Sequence, residues 1–134
     1  MLGLDLGDVR IGVAISDPHR RLAVPLGTVR AGQPPVELRA IADLVSENDV
    51  VLVVVGHPLS LSGRAGPRAR HTQELAAALA SALPVPVELQ DERLSTVEAE
   101  RALRDAGAKG RDVRRAVDRS AATVILQAWL DEHR

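Results

Sequence analysis

The stretch LGLDLGDVRIGVAIS, Leu2 to Ser16, decides how this chain folds. Leu2, Leu4 and Leu6 alternate with Gly3, Asp5 and Gly7, a period of two that gives a strand with one apolar face. Gly7-Asp8 is a turn signal, and Ile11, Val13 and Ile15 repeat the same period over Arg10 to Ser16. Asp17-Pro18 ends this second strand. A third, Leu22 to Val29, completes an antiparallel three-strand meander.

Beyond the meander the pattern changes. Gly32 to Pro35 is a linker, and Pro35 suits the first turn of a helix running to about Asn48, with Leu38, Ile41, Ala42 and Val45 at helical spacing. Val50 to Val55, VVLVVV, is an unbroken β-branched run that reads as a central parallel strand covered on both faces. Gly56 to Gly66 reads as a loop, followed by a helix ending near Leu83. Val85 to Gln90 is a strand, and Pro84 and Pro86 place its start near a sheet edge. Ser95 or Thr96 can cap a further helix, with Glu98 completing a capping box on Ser95; it stops at Ala106-Gly107. A last helix runs from about Arg114 to His133. The order βββαβαβαα predicts an α/β fold: a mixed sheet, the meander plus two parallel strands, with helices on both faces.

The 134 residues fit one domain spanning the whole chain, 1–134, with a core of ordinary size. Apolar residues make up 46% and charged residues 26%, the profile of a soluble globular protein. No apolar run approaches a membrane span, and the N-terminus lacks a basic region followed by a cleavable apolar segment, so the expected compartment is the cytoplasm. There is no Cys, which excludes disulfides, thiol catalysis and Cys-ligated metals. One Trp and no Phe or Tyr argue against recognition of nucleic acid by stacking bases on aromatic platforms.

Three acidic positions stand out. Asp5 interrupts a strand that otherwise reads as core, which is costly unless the carboxylate is paired or holds a metal; the flanking glycines clear space around it. Asp118 shares a helical face with Ala121, Ala122, Ile125 and Trp129, the apolar face of the last helix. Asp91-Glu92 stands at the C-terminal end of a strand, where open α/β sheets place binding groups. Brought together, such carboxylates repel unless a cation intervenes. Oxygen-only ligation fits Mg²⁺ or Mn²⁺, and two such ions suit phosphodiester hydrolysis. Each acid also has an ordinary reading: Asp5 paired with an Arg, Asp91 capping a turn, Asp118 favoured by the helix dipole.

At these residues the chain resembles the YqgF/RuvX family. The resemblance is carried by GLDLG (Gly3 to Gly7), RIGVAISDP (Arg10 to Pro18), VVGHPLSLSG (Val54 to Gly63), DERLST (Asp91 to Thr96) and VDRSAATVILQAWL (Val117 to Leu130), in family order over nearly the whole chain. It implies a ribonuclease H-like fold and a nuclease that resolves Holliday junctions or matures the 5′ end of pre-16S rRNA. It also implies that Asp5, Glu92 and Asp118 are the catalytic, metal-binding acids. Strand alternation, with Val87 and Leu89 turned inward, favours Glu92 over Asp91. Gly56, Pro58 and Gly63 match the family's G-x-P loop, where glycine lets backbone approach a phosphate; a tight strand-to-helix loop explains them equally well. His57 and His71 flank that loop without metal-ligand spacing and read as ordinary surface or loop residues. One departure is Val9, where relatives often carry a basic residue beside Arg10.

The formal charge of −1 conceals segregation. Val85 to Glu100 carries net −4 and Arg101 to Arg119 net +4. Candidate phosphate contacts are Arg10, Arg64, Arg68, Arg93, Lys109, Arg111, Arg114 and Arg115. The expected partner is branched DNA or precursor rRNA, held weakly and salt-sensitively. Symmetric cutting of a junction would require a homodimer, for which the sequence shows no clear face. Two other readings stand beside the nuclease. One is a non-catalytic nucleic-acid or protein adaptor. The other is a nucleotide-binding unit of the actin and sugar-kinase type, which would need a second domain.

Overall fold

A computed structural model describes residues 1–134 except 8, 33, 59–62, 92–110 and 134; residues 34, 35 and 111–120 are described in backbone alone. The elements are β1 (Leu2–Leu6), β2 (Arg10–Ser16), β3 (Ala23–Arg30), α1 (Pro34–Glu47), β4 (Val53–His57), α2 (Pro67–Ala82), β5 (Val87–Asp91) and α3 (Arg111–Glu132). The helix expected between Ser95 and Ala106 lies outside the described residues.

The strands form one mixed sheet in the order β3-β2-β1-β4-β5. β1 pairs antiparallel with β2, and β2 with β3. β4 and β5 continue from β1 in parallel. The β2–β3 connection is pinned by Asp17, whose carboxylate accepts the Arg21 and Leu22 amides at 2.6 and 2.8 Å. These hydrogen bonds hold the Asp17 carboxyl below the usual carboxylate range.

The VVLVVV run enters the sheet later than its composition suggests. Val53 to Val55 are fully buried in central β4, whereas Val50 to Leu52 lead into it and Val51 is exposed. β4 also reaches His57, so Gly56 is a strand residue and not the first residue of a loop. β5 begins after Pro86, whose carbonyl accepts the Val53 amide at 3.0 Å; this is an edge strand, as the prolines imply. Leu89 is 40% exposed, so it does not turn into the core as expected; Gln90 is the buried residue of β5.

Each face of the sheet has its own core. Leu2, Leu4, Leu6, Ile11, Val13, Val53 and Val55 pack with Ile41 and Val45 of α1 and Leu75 and Leu79 of α2. On the other face Ala14, Ala23 and Val54 pack against Ala121, Ala122, Ile125, Leu126 and Leu130 of α3. The small residues on this second face let α3 lie close to the sheet. A Cβ on Gly3 would meet Leu126 Cβ at 2.7 Å and the Ala122 carbonyl at 3.0 Å.

Candidate active site

Alternation along β1 assigns Asp5 its face. Leu4 and Leu6 belong to the α1/α2 core, so Asp5 turns with Gly3 toward the α3 side, where it is 4% exposed. Among the described residues, its nearest neighbours within the sheet on that face are glycines. Gly3 lies two positions before it on β1, and Gly7 two positions after it, just past the strand's end. Gly12 stands opposite on β2. Continuing the β1–β4 register one step past Leu4↔Val55 brings Gly56 opposite on the other side. One buried carboxylate therefore rises from a floor without side chains.

The direction of α3 follows from two contacts. Ala122 and Leu126 lie over Gly3. Further along the helix, Gln127 Oε1 accepts the Ala23 amide at 2.9 Å. Ala23 pairs with Ser16, whose amide donates to the Met1 carbonyl. The helix thus descends toward Met1 and runs antiparallel to β1. One turn back from Ala122 the α3 backbone reaches Asp118, about 6 Å toward the Leu6 end. Two residues forward from Gly3 the strand reaches Asp5, a rise of about 6.8 Å. The register brings the backbone of the Asp118 turn to the level of Asp5; the Asp118 side chain is outside the description.

Glu92 also lies outside the described residues. Its neighbours define the alternation that leads to it. Gly56 pairs with Gln90, and Gln90 donates to Glu132 of α3 at 3.0 Å, so Gln90 is on the Asp5 face. Asp91 pairs with His57 and is exposed on the opposite, α2 side. His57 is not an incidental loop residue: half-buried at the end of β4, its Nε2 lies 2.9 Å from Gln73 Nε2 of α2. Burial pushes the His57 imidazole below the usual histidine range, against the opposing pull of the Asp91 charge. His71 is exposed on α2.

The described members of the candidate phosphate contacts, Arg10, Arg64 and Arg68, lie at the end of the sheet toward which β1 and β4 point. Arg10 begins β2, half-buried on the Asp5 face. Arg64 is exposed just before α2, and Arg68 is half-buried in its first turn. Arg111, Arg114 and Arg115 belong to the N-terminal turns of α3, known in backbone only; Arg93 and Lys109 are outside the description. Pro58 follows β4 directly, and Gly63 takes φ 85°, a conformation that favours glycine. Among the described residues no three His, Asp or Glu side chains come together as a metal cluster. The sequence alone did not disclose Gly12, Gly56 and Gln90 as neighbours of Asp5, because that neighbourhood exists only through strand register.

A family model described as "RuvX: Holliday junction resolvase" matches residues 1–132. This chain belongs to the RuvX (YqgF) family. A Mycobacterium ulcerans member, provisionally named pre-16S rRNA nuclease, is 50% identical over 134 residues, covering 99% of this chain and 79% of its own length. A Mycobacterium leprae member with the same provisional name is 52% identical, covering 99% of this chain and 73% of its own. Among solved structures, Thermus thermophilus RuvC in complex with a Holliday junction substrate superposes with a TM-score of 0.58 at 13% identity, over 99% of this chain and 95% of that one. The fowlpox virus Holliday junction resolvase gives 0.53 at 11% identity, over 98% and 97%. At such identities these two structures bear on the fold alone, which is that of the RuvC-like, ribonuclease H-like proteins.

Proposed function

We propose that this RuvX-family chain is a divalent-metal-dependent endonuclease that hydrolyses phosphodiester bonds in structured nucleic acid. The observation that carries the reading is Asp5: a buried carboxylate at the open end of the parallel strands, ringed by Gly3, Gly7, Gly12 and Gly56. A core has no use for an acid amid four glycines, whereas a cation and a phosphate need both the charge and the room.

Asp5, Glu92 and Asp118 would hold Mg²⁺ or Mn²⁺, two ions in all. The donor set fits, since it offers only oxygen from hard carboxylates. Bound there, such ions supply a water of lowered pKa and neutralise charge at the scissile phosphate. The chain's own contribution is placement. β1 holds Asp5 by pairing it with Gly12 on one side and the residues before it with β4 on the other, and the close packing on Gly3 sets how near α3 lies to that strand. Alternation from Gln90 supports Glu92, and not Asp91, as the acid on this face. Arg10, Arg64 and Arg68 stand around the centre to hold neighbouring phosphates, with Arg93, Lys109, Arg111, Arg114 and Arg115 proposed for the same task.

The provisional names of the mycobacterial relatives favour the 5′ leader of pre-16S rRNA as substrate; the family description favours a four-way DNA junction, which would need two copies of the chain. None of the described helices is long and apolar enough to cross a membrane, and a cytoplasmic setting suits either substrate. The test is cleavage by the purified protein of both substrates side by side, with Mg²⁺, Mn²⁺ or chelator. Metal-dependent cuts in at least one support the reading. Binding indifferent to metal, without turnover of either, overturns it in favour of an adaptor.

A further inference from the structure

Arg30 ends β3 in direct register with Arg10, which begins β2. Both fall on the Asp5 face, because Ile11 and Val29 beside them turn into the opposite, α1/α2 core. The described neighbours of Arg30 on this face are Thr28, Gly12 and Arg10, none of them acidic. Among the described residues of the sheet, Gly7 and Gly12 lie between the pair and Asp5 on this face. Gly7 also fixes the approach: its amide donates to the Arg10 carbonyl at 3.0 Å, and a Cβ there would meet that oxygen at 2.5 Å.

We infer that Arg30, with Arg10, forms a phosphate-binding step that receives a backbone phosphate flanking the scissile one on the β2–β3 side of the centre. Arg30 is two strands from Asp5, a lateral offset of about 10 Å, which suits a neighbouring phosphate and not the reacting one. Guanidinium groups are the side chains best shaped for this, giving bidentate contacts to phosphate oxygens. The inference rests on the nuclease reading and adds to it a residue outside the carboxylate set.

The experiment is fluorescence anisotropy with a labelled four-way DNA junction and a labelled pre-16S 5′-leader RNA, across about 50 to 200 mM salt, for wild type, Arg30→Ala, Arg30→Lys and Arg39→Ala. Arg39 is exposed on α1 and serves as a charge-matched control. The inference expects Arg30→Ala to weaken binding several-fold and to lower the slope of log affinity against log salt by about one. Arg30→Lys should keep the slope and lose part of the affinity, and Arg39→Ala should match wild type. A merely structural role would shift melting temperature without changing the slope. If wild type binds and cleaves while Arg30→Ala keeps both its slope and its affinity, the phosphate step is overturned and the nuclease reading stands. If wild type neither binds nor cleaves, both are overturned.

Discussion

Gly3 of β1 and Leu126 of α3 approach so closely that a methyl group on the glycine would stand 2.7 Å from Leu126 Cβ. The neighbouring Ala122 carbonyl, at 3.0 Å, is backbone and cannot rotate away. This contact sets how near α3 lies to the strand carrying Asp5. Gly3→Ala therefore has two expected effects. Overpacking costs about 1–3 kcal/mol, measured by denaturant unfolding. Displacement of α3 separates the Asp118 turn from Asp5, so cleavage at saturating metal falls further than the loss of folded protein explains.

Gln127 ties the same helix to the start of β3. Its Oε1 accepts the Ala23 amide at 2.9 Å, and its Nε2 donates to the Arg21 carbonyl and to Asp131 Oδ1, both at 3.0 Å. Gln127→Leu strips the partly buried Ala23 amide of its partner, at a cost of about 1–3 kcal/mol. Gln127→Glu keeps the acceptor for the Ala23 amide but loses both donated hydrogen bonds and sets a carboxylate beside Asp131, so it also destabilises while retaining that one contact. Hydrogen exchange at the Ala23 amide reports the difference directly, accelerating in Gln127→Leu and staying near wild type in Gln127→Glu.

His57 predicts a pH dependence. Its pKa in the folded chain is below the usual histidine value, first because it is partly buried. As pH falls, the unfolded chain binds this proton first, at about 6.5, and the native state follows at lower pH. The contribution to stability is thus fully present above about pH 6.5 and is lost as pH drops through the folded value. The melting temperature should decline on the acid side of neutrality, and His57→Asn should flatten part of that decline. A His57→Asn profile parallel to wild type would contradict it.

Much of this was legible in the sequence because it is local. The period of two over Leu2–Leu6 and Arg10–Ser16 predicts both strands at the observed bounds, and the prolines before Val87 mark an edge strand. Asp5 and the glycines on its own strand stand out as an anomaly. What escaped was set by pairing between distant segments. Val50–Leu52 has the composition of a strand, yet β4 begins at Val53, where pairing with Leu2 begins. Leu89 has a core side chain on an edge strand that leaves it exposed, while polar Gln90 is buried by reaching Glu132. Gly12 and Arg30 look unremarkable until register sets them on the Asp5 face, and Gly56, read as the first residue of a loop, is a strand residue on that same face.

The central claim is that Asp5, Glu92 and Asp118 act together through bound metal. It is tested most directly by single-turnover cleavage across a Mn²⁺ titration for wild type, Asp5→Asn, Glu92→Gln, Asp118→Asn and Asp91→Asn, with melting temperature recorded for each. Removing an interaction made in the transition state lowers the rate at saturating substrate. The first three variants should each lose at least about a hundredfold in rate, the order seen when one such stabilising group is removed. Asp91→Asn should remain within a few-fold of wild type, and all four should stay folded. Undiminished cleavage by a folded Asp5→Asn or Asp118→Asn protein would contradict the account.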